Sequence, residues 1–424
     1  MKKALYVLFS AIVIALFGAI VLSFIYISSY VSLATFVSIV KPYSEDAYVL
    51  PRITEDNGLM ISQVGERTIF PLSGFKGELH GNDFSAPSGM GYVIVKEKPK
   101  DVGIATLTIS AAGDCTLGSD SGASGYGSFI AEVMAKGKDY SHFLKLVKPY
   151  FAEDDLTIVN FEGTLSNSGA RRDKEYAFRG EPEYVNILTS ASVEAVNLAN
   201  NHTYDYGASA FSDTKRIMEE NEVIWFEGSD IKVTKVNGIK VGLIGTNLLK
   251  YEGQRNFIKN MTALKALEPD LIIASFHWGT ERMYVPTDIQ KQFAHLAIDN
   301  GADLVLGHHP HVLQPIERYN GKYIVYSLGN FCFGGNKNPV DKDSMIFIQT
   351  FCFENGSLLP EENVFIVPCS VSSEPYRNNY QPMPLAGENF ERVKKKIINI
   401  SAGYEGIENI TFLEGTEEAE PVLE

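Results

Sequence analysis

Between Asp114 and His311, five short clusters combine carboxylate, amide and imidazole side chains: GDCTLG, NFEGT, NNHTYDYG, FHWGTE and GHHPHV. Five of the chain's eight histidines fall in them (His202, His277, His308, His309 and His311), beside Asp114, Glu162 and Asn201. All-oxygen cages suit calcium or magnesium, whereas imidazole mixed with oxygen donors and no clustered thiolate suits manganese, iron or zinc. The clusters therefore read as a centre for a divalent transition metal. Such a centre polarises a phosphoryl or acyl oxygen and lowers the pKa of bound water toward ~7.

The elements that must position these residues precede them. Each cluster follows an apolar, strand-like stretch: TLTISAAG, DLTIVN, VEAVNLA, DLIIASF and DLVLG. A buried strand delivers whatever follows it to one sheet edge, and ligands bind in the crevice at the carboxyl ends of such strands. From Gly103 onward, strands of four to eight residues alternate with segments such as SAFSDTKRIMEEN and TDIQKQFAHLAIDNG, whose apolar positions recur at helical spacing. This is an α/β pattern. Asn237-Gly238 and Asn320-Gly321 stand between β-rich runs and predict two tight hairpins, hence antiparallel edges.

The series GD..LG, N-F-E-G-T, A-N-N-H-x-x-D-x-G, H-W-G-x-E, G-H-H-P-H-V-x-Q and Y-S-L-G-N-F, running from about Thr106 to about Gln349, resembles the CapA family of capsule poly-γ-glutamate synthesis proteins. The resemblance implies a calcineurin-like metallophosphoesterase fold, a four-layer αββα sandwich. It implies metal ligands at Asp114, Glu162, Asn201, His277, His309 and His311, and a catalytic role for His202 in polarising substrate or protonating a leaving group. His308 is left out of the ligand set, because the alternation of an extended segment turns it away from His309 and His311. Typical metallophosphoesterases carry Asp-x-His in the first motif, whereas this chain has Asp114-Cys115-Thr116. The first metal position is then one ligand short, and one or two ions are expected. Arg179 matches a Phe-Arg position where a guanidinium can clamp a carboxylate or phosphate. Glu281 is a second substrate-side candidate, as an acid that orients His277.

Each assignment has a structural alternative. Asn200-Asn201 can close a turn, Glu162 can cap the following segment, and Arg179 and Glu281 can be solvated charges. Trp278 and Phe276 read as packing walls. A lone histidine at a strand end is more often structural than a ligand, but His-x-His beside four other clusters favours metal.

The whole chain has 424 residues, 45% hydrophobic, which provides for one large domain plus appendages. Met1-Lys2-Lys3 precedes an almost unbroken apolar run from Ala4 to about Ile27, long enough to span a bilayer. We read residues 1–42 as a cytoplasmic N-terminus and uncleaved anchor, 43–102 as a stalk or small β region, 103–368 as the metal-binding domain, and 369–424 as a terminal helix and acidic tail. A cleaved signal peptide, with Ser32-Leu33-Ala34 at the cleavage site, is the alternative. The remainder then lies outside the cytoplasmic membrane, where disulfides are permitted. Cys115, Cys332, Cys352 and Cys369 have no CxxC spacing; Cys332 and Cys352 flank what look like paired strands and either face one another or are buried hydrophobes.

A net charge of −15 argues against a nucleic-acid partner. It would also repel a polyanion, so any polymer must be held by a local positive site such as the metal with Arg171, Arg172 and Arg179. Three functional readings follow: a membrane-anchored metal-dependent hydrolase of the phosphoesterase type acting in poly-γ-glutamate synthesis or export, a non-catalytic accessory that binds polymer or stabilises a membrane synthase, and a metal-dependent amidohydrolase of the polymer. Because Lys2 and Lys3 favour the cytoplasmic side, protease added to intact spheroplasts is expected to digest everything after about Lys41. Protection of the C-terminal region would reverse that orientation, and release of a mature protein would indicate a cleaved signal.

Overall fold

Apolar runs at the strand positions build two nine-stranded sheets. The computed structural model describes residues 62–64, 67–71, 92–96, 104–120 and 125–415. All lie in the second of the chain's two compact units, Gly58–Glu424. The apolar run Ala4–Ile27 and the end of the acidic tail lie outside the described residues. Among the described residues, no helix is long and apolar enough to cross a membrane.

The first sheet runs Ser62–Val64, Arg67–Pro71, Tyr92–Lys96, Lys232–Val236, Ile239–Asn247, Leu271–His277, Leu304–His308, Lys322–Val325, Ile316–Tyr319. The second runs Ile224–Phe226, Ala195–Asn197, Leu156–Phe161, Ile104–Thr116, Asp343–Glu354, Ser357–Ser370, Met383–Pro384, with Asn330–Phe333 beside Ile104–Thr116 and Thr411–Phe412 beside Ser357–Ser370. In each sheet the site-bearing strands are parallel to one another. All five expected strands are present. The patches TIFPL and GYVIV also form strands, which join the first sheet.

Period-two alternation decides what each strand shows to the other sheet. Leu107, Ile109, Leu156, Ile158 and Ala195 of the second sheet share one apolar cluster with Leu243, Leu271, Ile273, Leu304 and Leu306 of the first. The opposite faces are covered by helices. Phe211, Ile217 and Met218 of the helix Gly207–Glu220 pack with Val159 and Val196, while Phe257, Met261 and Leu264 of Tyr251–Lys265 and Ala294 and Ala297 of Asp288–Asp299 pack with Ile272, Ala274 and Val305. Each buried valine, leucine, isoleucine, phenylalanine or methionine among them contributes about 1.5–3 kcal/mol. The fold is a mixed α/β domain with apolar layers between helix and sheet, sheet and sheet, and sheet and helix.

Both expected hairpins form. Val236 pairs with Ile239 and Tyr319 with Lys322, so each turn is two residues with both φ positive, as asparagine and glycine allow. A third, Asn355-Gly356, joins the long strands Asp343–Glu354 and Ser357–Ser370. The apparent pairing of KYIVYSLGNFCF with SMIFIQTFCF does not form. Asn330–Phe333 lies beside Ile104–Thr116 instead, and all four cysteines are free. Cys332 donates to the Tyr380 carbonyl at 3.2 Å, while Cys352 lies opposite Thr106. The helix Gly387–Ile400 puts Phe390, Val393 and Ile397 into the core between the sheets.

At the amino end of Leu156–Phe161, Asp154 accepts from the Thr157 hydroxyl at 2.6 Å. Burial, and then the neighbouring acids Glu194 and Asp155, push its carboxyl up to about 7 against the opposing effect of the Ser110 and Thr157 hydroxyls. A raised folded-state pKa contributes stability that is complete below the unfolded value near 4 and is lost as pH rises through about 7. Asp154→Asn keeps an acceptor for Thr157 and cannot ionise. It is expected to raise the unfolding midpoint by about 2–4 °C at pH 8 and leave it unchanged at pH 4, as read by thermal denaturation.

Candidate metal centre

At the carboxyl ends of the central strands, polar residues replace apolar ones on the face between the sheets. The inward series Leu156, Ile158 continues to Asn160 and Glu162; Ile273 continues through Ser275 to His277; Leu304 and Leu306 continue to His308. The strand Ile104–Thr116 reaches Asp114 through an irregularity at Gly113. There a Cβ would stand 2.0 Å from the Gly329 carbonyl oxygen, and the Asp114 N–H donates to that same oxygen at 2.9 Å. The glycine is required for this backbone contact.

Asp114, Glu162, His277 and His308 are fully buried, and His309 is nearly so. Two groups of three donors form, Asp114 with Glu162 and His277, and Glu162 with His309 and His311; within each group the ligand atoms lie within 4.8 Å of one another. Glu162 belongs to both. Asn201 joins them, its Oδ1 lying 2.7 Å from His277 Nε2. The structure thus brings together Asp114, Glu162, Asn201, His277, His309 and His311.

Three asparagines not singled out in the sequence orient this set. Asn160 Nδ2 donates to Asp114 Oδ1 at 2.8 Å and lies 3.3 Å from His277 Nδ1, while its Oδ1 accepts from Asn197 at 3.3 Å. Asn330 Oδ1 lies 2.9 Å from His311 Nδ1. Asn160 and Asn330 stand inside the NFEGT and SLGNF motifs, so the signal was present.

His308 faces the centre, contrary to the alternation expected of an extended loop. Its Nδ1 lies 3.5 Å from Asp114 Oδ1. The segment is not extended: His309 has φ 94° and His311 φ 58°, and this turn brings their rings to 5.6 Å centroid separation while His308 keeps the inward register of Leu304 and Leu306. Non-glycine residues in this region cost about 1–3 kcal/mol each and cluster at functional sites.

The electrostatics follow from two carboxylates buried among imidazoles. Burial and then Asp114 raise the Glu162 carboxyl well above its ordinary range. Burial opposes charge on Asp114 too, but the adjacent imidazoles of His308 and His311 hold its pKa well below the usual value. Burial, then neighbouring imidazoles, push His277 far down and His309 down to about 4. Burial also opposes charge on His311, yet Glu162 and Asp114 outweigh it and raise this group to about 9. Charge on His311 is thus favoured beside the two acids.

That balance is incomplete in hydrogen bonds. Both Glu162 oxygens, both His308 nitrogens and His309 Nδ1 are buried without a hydrogen-bond partner among the described residues. His277 Nε2 approaches Glu162 Oε1 to 3.2 Å, but without hydrogen-bond alignment. Each unmatched buried polar atom costs about 1–3 kcal/mol, more if charged. These residues can hold a divalent cation, which would satisfy the donor atoms together.

His202 sits beside the ligands in a separate network. Its Nδ1 lies 2.7 Å from Asp205 Oδ2, its ring packs on Phe178 at 4.4 Å, and Lys174 Nζ reaches Asp205 Oδ1 at 2.7 Å and the Asn201 carbonyl at 3.1 Å. Burial lowers the His202 pKa, and Asp205 partly restores it. With Nδ1 engaged by a carboxylate, Nε2 is the atom free to work. Asp205 lies three residues after His202 in NNHTYDYG, a spacing that could have revealed it; Lys174 carried no signal.

The substrate-side candidates lie further out. The Arg179 guanidinium stacks over Tyr206 at 4.2 Å, with Nη1 3.5 Å from the Ser168 carbonyl. Arg171 is held by Asp120 at 2.6 Å, and Arg172 lies over Tyr204. Glu281 is exposed and within electrostatic reach of Glu162 and His311, while the contacts of His277 are with Asn160, Asn201 and Glu162. Trp278 is fully buried, stacked on Phe276 at 4.8 Å and bonded to the Tyr326 carbonyl, as expected of a packing wall.

Comparison with known proteins covers the same stretch of chain. Residues 108–335 match the family described as "Bacterial capsule synthesis protein PGA_cap". The PGA biosynthesis protein CapA of Bacillus subtilis (strain 168) is 33% identical over 238 residues, 49% of this chain and 62% of that protein. The capsule biosynthesis protein CapA of Bacillus anthracis is 29% identical over 294 residues, 62% of this chain and 67% of that protein. A Mycobacterium tuberculosis protein named a probable polyglutamine synthesis accessory protein is 28% identical over 242 residues, 48% and 64% of the two chains. The chain thus spans between 62% and 67% of the length of these relatives. The matched span contains both ligand groups and the His202 network, and on that match the chain belongs to the CapA family of bacterial capsule synthesis proteins.

Proposed function

We propose that this protein acts in poly-γ-glutamate capsule synthesis or export as a metal-dependent hydrolase, anchored in the membrane by its N-terminal apolar run with the α/β domain outside the cytoplasm. Its layered architecture fits a metallophosphoesterase-like αββα sandwich. The observation that carries the proposal is Glu162, a fully buried carboxylate shared by two ligand groups with both oxygens unpartnered. The mixed imidazole and carboxylate donors favour manganese, iron or zinc, at one or two positions.

When bound, the metal supplies Lewis acidity and an activated water. Asp114, Glu162, His277, His309 and His311 would hold it, with Asn201 as the amide donor. Asn160 and Asn330 fix the first acid and the last imidazole. Asp205 holds Nδ1 of His202, which leaves Nε2 to give a proton to a leaving group or to donate to developing negative charge. Phe178 keeps that ring from rotating and shields it from water.

A second reading has its own support. The mycobacterial relatives carry the word accessory in their names, and a subunit that binds polymer or steadies a membrane synthase would keep the fold without turnover. An amidohydrolase acting on the polymer would use the same side chains as the phosphoesterase.

Two measurements separate these readings. Elemental analysis of purified protein after reconstitution and desalting is expected to find stoichiometric manganese, iron or zinc. Glu162→Ala should abolish it, because both groups lose their common ligand, whereas undiminished metal in Glu162→Ala or in the double variant His309→Ala, His311→Ala would remove the centre. The His202→Ala variant is expected to retain metal and fold while lowering turnover of phosphoesters or γ-linked glutamate chains about 10²–10⁴-fold. Full capsule formation in cells by that variant would leave the accessory role as the better reading.

A further inference from the structure

The loop after the His277 strand carries a charged side chain that the centre does not use. Arg282 adopts φ 61°, a left-handed conformation unusual for a long side chain. Its N–H donates to the Pro310 carbonyl at 2.7 Å, and Pro310 stands between the candidate ligands His309 and His311. The next turn is tied down as well: Gln314 Nε2 donates to the Met283 carbonyl at 2.7 Å, Gln290 Nε2 donates to Gln314 Oε1 at 2.7 Å, and the Tyr284 hydroxyl donates to Asp341 at 2.8 Å. Arg282 is therefore mounted on a fixed loop joined directly to the ligand turn.

Its side chain is exposed, and among the described residues no hydrogen bond or ion pair engages the guanidinium. Four other arginines differ. Arg171 is paired with Asp120, Arg377 with Glu132 and Glu374, Arg392 with Asp343, and Arg179 is spent on Tyr206. The charge of Arg282 is felt at Tyr176, which is 54% exposed and precedes by two residues the Phe178 that packs on His202. The loop of Arg282 is attached to the His309–His311 turn and the segment of Tyr176 to the His202 network, with electrostatic reach between the two.

We propose that Arg282 is the anion-recognition residue of this centre, receiving a carboxylate or phosphate of the substrate next to the metal ligands. This rests on the metal-centre reading above and gives the substrate its chemical class, an oxyanion. A chain of net charge −15 repels such a ligand at long range, so affinity must come from a local cation. A guanidinium offers two parallel donors to a planar or tetrahedral oxyanion, which an ammonium cannot. Among the described residues that fork has no carboxylate partner to displace.

Calorimetric titration of the full-length protein in detergent at low salt, with inorganic phosphate and with γ-linked triglutamate as probes, tests this. Arg282→Gln is expected to weaken binding of one probe about tenfold, roughly 1.4 kcal/mol, with metal content and unfolding midpoint unchanged. Arg282→Lys should recover only part of the affinity. Whether the affected probe is phosphate or triglutamate assigns the substrate's anion. Equal affinities of parent and Arg282→Gln for both probes overturn the assignment, as does failure of the parent to bind either. Repeating the titrations after chelation keeps the two readings apart: metal content judges the centre, while the difference between parent and Arg282→Gln judges the role of Arg282.

Discussion

Two carboxylates buried at the end of an apolar layer set the terms for everything around them. Asp114 and Glu162 lie between two sheets whose facing surfaces are mostly leucine, isoleucine, valine and phenylalanine. Charge in such surroundings is tolerated only when it is matched by opposite charge and by hydrogen bonds. The imidazoles of His277, His308, His309 and His311 and the amides of Asn160 and Asn330 supply that match in part. The unpartnered atoms that remain belong to the same donor set, so the arrangement that keeps the acids in the core also makes them available to a cation.

The two sheets divide the work. The second sheet brings Asp114, Asn160 and Glu162 on neighbouring parallel strands, and the first brings His277 and His308. Neither sheet holds a complete group, since Asp114 and Glu162 reach His277 only across the space between the layers. The apolar core thus fixes ligand spacing: thinning or thickening the layer of Ile158, Ile273 and Leu306 would move acid relative to imidazole. His202 is mounted differently, on the loop after Ala195–Asn197, and is held by Asp205, Lys174 and Phe178 rather than by the sheets. Lys174 ties this network to the Asn201 carbonyl, and so to the ligand set.

Much of this was legible in the chain. Strands buried on both faces leave continuous apolar runs, which is why the stretches before Asp114, Asn160, Leu198, His277 and His308 could be read. The Asn-Gly turns were legible because few other dipeptides accept two positive φ angles. What failed has physical causes. The orientation of His308 was misjudged because alternation holds only while the backbone is extended, and the chain turns at His309; counting from Leu304 and Leu306 instead places His308 inward. The partner of Asn330–Phe333 was missed because it lies more than two hundred residues away on Ile104–Thr116, and local pattern carries no such information. Lys174 was invisible because a lysine in a polar loop has no periodicity, and its role comes wholly from contacts made by the folded chain.

The close approach of Gly113 to Gly329 bears on the order of events during folding. It joins the strand of the first acid to the segment that follows the last imidazole, with a backbone hydrogen bond and no room for a side chain between them. Bringing together residues so far apart in the chain carries an entropic cost, and contacts of that separation slow folding. A nascent or partly threaded chain therefore has separate acids and imidazoles but no assembled pocket. Any cation the protein carries would be held by the full donor set only once that last segment has docked.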